Sequence, residues 1–149
     1  MTTPHILSVD PGKATGVAIW DEHLTQTLQI DDGRYGFQDW AEHRLQHFDL
    51  VVCEDYTITS RTVKSSRQVD ALRIIGWLDL RLHARGIPFV LQKNTAKTFT
   101  SDDKLKALGW YRGSPGHTDD ACRHLFKYLA QHHQTDPAVH GLLMKVASR

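Results

Sequence analysis

At 149 residues the chain is long enough for one compact domain and too short for two. Hydrophobic residues make up 40% and charged residues 23%, an ordinary globular balance that excludes a disordered chain. A net charge of +1 excludes bulk basicity as a source of nucleic-acid affinity, which would have to come from local basic clusters.

The opening MTTPHILSVD has no basic region followed by a long apolar stretch. The apolar runs fall far short of the about 20 residues that span a bilayer, so a cytoplasmic protein with no membrane partner is expected. Cys53 and Cys122 lie among apolar neighbours without zinc-like spacing and read as buried free thiols of a reducing compartment. The ten histidines are scattered and form no HxxxH or HExxH pattern.

In chain order, His5 to Val9 is a short apolar run ending in Asp-Pro-Gly, a turn signal. Ala14 to Trp20 resumes as a strand, so the two form a hairpin. Leu24 to Ile30 alternates as a third, half-exposed antiparallel strand does. Phe37, Trp40, Ala41, Leu45 and Phe48 follow a helical spacing. Leu50 to Cys53 is a solid apolar run; coming after a helix, it belongs in the sheet centre, parallel to the first strand. Tyr56 to Arg67 is polar and basic and reads as a loop. Gln68 to Arg85 is a long amphipathic helix stopped by Gly86 and Pro88. Ile87 to Leu91 reads as another buried strand. Short helical stretches follow at Thr95 to Phe99 and Asp102 to Leu108, then a strong helix from near Thr118 to about His132. The tail from Gln134 suits a short extra helix. Three antiparallel strands followed by alternating helices and parallel strands define a mixed five-stranded α/β sheet flanked by helices.

Three acids fall where such a sheet brings residues together. Asp10 ends the first strand and Glu54 the fourth. If the two strands are adjacent and parallel, both carboxylates emerge at one carboxyl edge. Asp120, in the first turn of the last strong helix, can pack against that edge. Hydrolysis of a phosphodiester by two hard cations needs such a cluster, with carboxylate oxygens holding Mg²⁺ or Mn²⁺ about 3.5–4 Å apart. Each acid also has an ordinary explanation. Asp10 suits the first position of a β-turn. Asp119 and Asp120 suit the positive end of a helix dipole, Asp119 more so. Glu54 is harder to explain away, because a carboxylate at a core edge is costly unless paired or metal-bound. Asp55 competes with it, but side chains alternate along a strand and one of the two must face away. His117, three residues before Asp120, shares its helix face and is a candidate ligand or base, or simply an exposed histidine. His124, four residues after Asp120, can lie on the same face but is read as an ordinary helix histidine.

The basic residues that would grip a polyanion are Arg61, Lys64 and Arg67 in the loop after Glu54, with Tyr56 as a stacking group. Lys13 beside the first turn is another phosphate contact. Of Lys93, Lys97, Lys104 and Lys106, Lys104 is taken as the residue that neutralises a scissile phosphate.

The segments ILSVDPGKATGVAIW, VVCEDY and GHTDDACRHLFKYL together resemble, in the right order, the three motifs of RuvC-type Holliday junction resolvases, and the short chain is similar to their phage-encoded relatives. The resemblance covers most of the chain. It implies an RNase H-like fold in one nuclease domain over residues 1–149, two Mg²⁺ ions for which Mn²⁺ may substitute, a homodimer, and branched DNA as partner, located in the host cytoplasm if phage-encoded. It assigns Asp10 as the shared metal ligand, Glu54 as a second, Asp120 as the helix carboxylate, and His117 or Asp119 as the fourth group. A ribonuclease H acting on RNA–DNA hybrids and a branched-DNA-binding protein without cleavage are the alternatives. An actin-like phosphotransferase would need two such domains.

Overall fold

A computed structural model of the chain describes residues 3–56, 67–113 and 116–148. Five strands, β1 (Ile6–Asp10), β2 (Thr15–Trp20), β3 (Leu24–Ile30), β4 (Leu50–Glu54) and β5 (Phe89–Gln92), form one sheet in the order β3-β2-β1-β4-β5. The first three are antiparallel, and β4 and β5 extend the sheet in parallel beyond β1. This is the expected mixed sheet, with β1 and β4 at its centre.

Helices cover both faces, and strand alternation decides which residue meets which helix. Leu7, Val9, Val51 and Cys53 point to one face, where α1 (Gly33–Ala41) and α2 (Arg67–Arg85) bring Phe37, Ile74, Leu78 and Leu82 against them. Ile6, Leu50 and Val52 point to the other, toward Leu125, Phe126 and Leu129 of α5 (Gly116–His132). The short helices α3 (Ala96–Phe99) and α4 (Asp102–Leu108) flank α5, and α6 (Pro137–Ala147) adds Val139 and Leu142 to the same core. Both central strands are thus buried on two faces, which is why they read as apolar runs.

Three details differ from expectation. The helical spacing from Phe37 to Phe48 is divided: α1 ends at Ala41 and Leu45–His47 is a separate 3-10 turn that buries Leu45. β5 starts at Phe89, because the Ile87 amide still closes the end of α2 on the Leu82 carbonyl, with Gly86 at φ 67°. It is also an edge strand, not a buried one, with Leu91 44% exposed. Cys53 and Cys122 are buried free thiols, as the sequence suggests. Among the described residues no helix is long and apolar enough to cross a membrane.

Candidate active site

The alternation that fills the core also delivers the acids. Ser8 and Asp10 on β1, and Val52 and Glu54 on β4, follow Ile6 and Leu50 at two-residue steps, so all face α5. Glu54 therefore faces the helix and Asp55 does not. The Ser8 hydroxyl donates to the Ala121 carbonyl at 2.7 Å, fastening α5 to β1 one step before Asp10.

Asp10 is buried, with His117 Nδ1 3.0 Å from its Oδ2. The contact depends on Gly16, the cross-strand partner of Asp10. A β-carbon there would come within 1.8 Å of the His117 carbonyl oxygen. Glycine on β2 thus lets the first turn of α5 sit directly on the hairpin.

Asp10 also shares a hydrogen bond with Glu54. Burial, together with the neighbouring Glu54 and Asp120 charges, pushes Asp10 up to about 7 despite its bond to His117. Burial acts in the same direction on Glu54. There it is outweighed by hydrogen bonds from His124 and Asp10 and by the Lys97 charge, which hold Glu54 at about 2. Of the two acids, Asp10 is thus the one whose charged form is disfavoured. The bond to Asp10 raises His117 above its ordinary value.

Asp120 is held by two cations. Lys97 Nζ lies 3.1 Å from its Oδ2, and Arg123 donates to its Oδ1 at 3.3 Å. Arg123 also pairs with Asp102 and donates to the Thr100 carbonyl, tying α4 to the site. Lys97 is raised because Glu54, Asp120 and Asp10 outweigh its partial burial.

Asp119 points elsewhere. It is buried, and its two carboxylate oxygens accept the backbone N–H groups of Arg112 (2.9 Å) and Gly113 (2.8 Å). Of the two candidates for the fourth group, His117 stands at Asp10 and Asp119 holds the segment before α5. Lys104, the lysine taken for the phosphate, is also elsewhere: its ammonium donates to the Phe99 carbonyl and lies 5.0 Å from the Phe99 ring centre. Lys97, one of the lysines passed over, occupies the acid cluster.

His124, read as an ordinary helix histidine, is fully buried with Nε2 3.3 Å from Glu54 Oε2. The signal that could have found it is spacing: His117, Asp120, Ala121 and His124 stand at i, i+3, i+4 and i+7 on one face of α5.

Lys13 and Tyr56 line a cavity of about 940 Å³ that opens beside the cluster, bounded also by Arg34, Tyr35, Asp70 and His117. Arg34 is fixed by the Asp70 carboxylate and lies over the Tyr35 ring, which is 65% exposed. Arg61 and Lys64 lie outside the described residues, and Arg67 opens α2 with its side chain outside them.

Metal holding can be judged from these donors. Asp10 and Glu54 are hard oxygen donors whose neighbouring charges disfavour one another, a repulsion that a divalent cation would relieve. That chemistry fits. Among the described residues, however, no three His, Cys, Asp or Glu side chains stand grouped ready to hold an ion. Asp120 is instead engaged by Lys97 and Arg123.

The sheet order and flanking helices define an RNase H-like fold of the RuvC type. Two solved structures share it. Thermus thermophilus RuvC in complex with a Holliday junction substrate aligns at TM-score 0.61 and 11% identity, over 85% of this chain and 94% of that one. A second Thermus thermophilus RuvC structure aligns at TM-score 0.57 and 12% identity, over 85% and 95%. No protein-family model and no curated protein matches the sequence.

Proposed function

We propose that the protein is a divalent-metal-dependent endonuclease that resolves four-way DNA junctions by paired nicks. The observation that carries this reading is that Asp10 and Glu54 end the parallel pair β1 and β4 side by side, with His117 on Asp10 and Asp120 on the facing turn of α5. The Thermus thermophilus RuvC neighbour is in complex with a Holliday junction substrate, which supports the choice of DNA. In this reading residues 1–149 form one nuclease domain, of the short phage-type form, working in the cytoplasm.

Asp10 and Glu54 would hold Mg²⁺, or Mn²⁺ in its place, with Asp120 and His117 beside them. When bound, the ions supply charge neutralisation at the scissile phosphate. The chain's own residues do the rest. Asp10 would serve as a ligand in its charged form, which a bound cation would favour. His117, half-exposed and hydrogen-bonded to Asp10, is positioned to accept a proton from the attacking water. Lys97 offers its positive charge to the phosphate and loosens its hold on Asp120 as it does so. Lys13, Tyr56, Arg61, Lys64 and Arg67 grip the strand around the cut, which gives affinity independent of the acids.

Paired nicks on a two-fold junction call for two copies. Val69, Leu72, Gly76 and Leu80 fall on one face of α2, opposite the buried Ala71, Ile74, Leu78 and Leu82, and Val69, Leu72 and Leu80 are exposed. This apolar face supports a homodimer.

The deciding experiment offers the purified protein a labelled four-way junction, a flap, a linear duplex and an RNA–DNA hybrid, with Mg²⁺ or Mn²⁺ and with chelator. Symmetric nicks in the junction, lost with chelator, are expected. Cleavage of the hybrid alone would make it a ribonuclease H, and binding without cleavage a DNA-binding relative.

A further inference from the structure

Each of the two paired acids has its own histidine, and the two histidines differ. His117 meets Asp10 with 47% of its side chain open to solvent. His124 meets Glu54 with none. Behind His124 stands Gln92, the last residue of β5 and the registered neighbour of Glu54 across the β4–β5 ladder, also buried. Gln92 and Glu54 therefore project to the same face, with the His124 ring reaching both.

The polarity of this chain of contacts is fixed by its ends. The His124 backbone carbonyl can only accept, so the Gln92 atom 2.8 Å from it is the amide nitrogen. That nitrogen has a second hydrogen and lies 3.5 Å from His124 Nδ1. A donor facing Nδ1 makes Nδ1 the acceptor and leaves the single ring hydrogen on Nε2. At the other end Nε2 faces an oxygen of Glu54, and a carboxylate can only accept. Both ends require the same tautomer.

We infer that His124 is a positioning residue for Glu54: Gln92 fixes the imidazole with its hydrogen on Nε2, and that hydrogen is donated to Glu54 Oε2. The inference deepens the nuclease reading and rests on it for its catalytic consequence. A buried imidazole and amide cost desolvation unless paired, and here their partners are each other and the site acid. The arrangement commits one Glu54 oxygen and so fixes the direction in which the carboxylate presents the other. Orienting contacts of this kind act on a ligand's aim more than on substrate affinity.

The test begins with the metal-free wild-type protein labelled with ¹⁵N at histidine. Long-range ¹H–¹⁵N correlation should show the His124 hydrogen on Nε2 and a bare Nδ1. In Gln92→Met, Glu54 still accepts from Nε2, so the hydrogen should stay there while the Nδ1 resonance moves on losing its donor. Hydrogen on Nδ1 or on both nitrogens in the wild type would overturn the inference. So would an unchanged Nδ1 resonance in Gln92→Met. This readout needs no activity, so it decides even if the wild type cleaves no DNA, an outcome that would sink the nuclease reading alone. Where junctions are cleaved, His124→Leu should lower kcat about 10- to 100-fold with junction affinity unchanged. His124→Gln, whose amide nitrogen falls where Nε2 was, should recover most of that loss. Equal loss in both variants would reduce His124 to a packing role.

Discussion

The carbonyl oxygen of His117 occupies the space where a β-carbon of Gly16 would stand, 1.8 Å from its ideal position. Both atoms belong to backbone or its direct substituent, so neither can swing aside. Gly16→Ala should therefore lift the first turn of α5 from the hairpin and separate His117 from Asp10. We expect a loss of about 1–3 kcal/mol in unfolding free energy, together with lost junction cleavage. Denaturant unfolding with parallel cleavage assays checks both, and a variant of unchanged stability would contradict the close approach.

Asp10→Asn should abolish cleavage while leaving junction binding largely intact, because binding rests on basic residues and cleavage on the acid pair. Gel-shift and cleavage assays on one junction separate the two. A fully active Asp10→Asn protein would refute the metal-site assignment.

The raised Asp10 carboxyl makes stability depend on pH. Asp10 releases its proton near 7 in the folded protein against an ordinary value of 3.8. Between these values the native chain binds more protons than the unfolded chain, so stability falls as pH rises through that window. Glu54, at about 2 against 4.5, works in the opposite sense, and its contribution is already complete by its unfolded value. His117, raised by Asp10, contributes stability that is also lost as pH rises through its folded value. Asp10→Asn removes the titrating acid and the partner that raises His117. In chelator, the Tm of Asp10→Asn relative to wild type should thus climb from pH 4 to pH 8. Parallel Tm curves would rule out the raised acid.

The lysines give a paired prediction. Lys97→Met should reduce cleavage, because its ammonium lies 3.1 Å from Asp120. Lys104→Met should not, because that ammonium is spent on the Phe99 carbonyl and ring. Single-turnover rates on one junction compare them, and the reverse pattern would restore Lys104 to the site.

Asp119→Ala and Asp120→Ala, one residue apart, should fail differently. Asp119 accepts two backbone N–H groups, and its loss should lower stability by about 1–3 kcal/mol. Asp120→Ala should lose cleavage. Thermal unfolding beside activity distinguishes them.

Much of this was legible in the amino-acid order. Asp10 and Glu54 end apolar runs, and apolar runs separated by a helix become parallel neighbours, so their meeting follows from topology. Alternation allows only one of Glu54 and Asp55 to face the helix, and the register of β4 on β1 makes it Glu54. What escaped was what depends on rotation and on short connections. His124 lies on the same helix face as Asp120, but spacing alone cannot say that a ring will be sealed against a strand end by Gln92. Lys97 and Lys104 sit on neighbouring short helices, and the turn between them, invisible in residue spacing, sends one ammonium to the acids and the other to a backbone carbonyl. Asp119 looks like a helix-dipole acid until the fold brings the backbone of Arg112 and Gly113 against it.

Because β1 and β4 are apolar on both faces, their hydrophobic pattern would tolerate a one-residue slip almost equally well. A slip of β4 would offer Cys53 or Asp55 to α5 in place of Glu54, with the core still filled. The protection against that error is polar and local: the Asp49 amide on the His5 carbonyl and the Asp49 carboxylate on the His5 amide where β4 enters beside β1, and His124 on Glu54 where it ends. The apolar residues of this sheet therefore fill the core without choosing its register, while a few polar contacts at the ends of β4 carry the information about which of its side chains will face the helix.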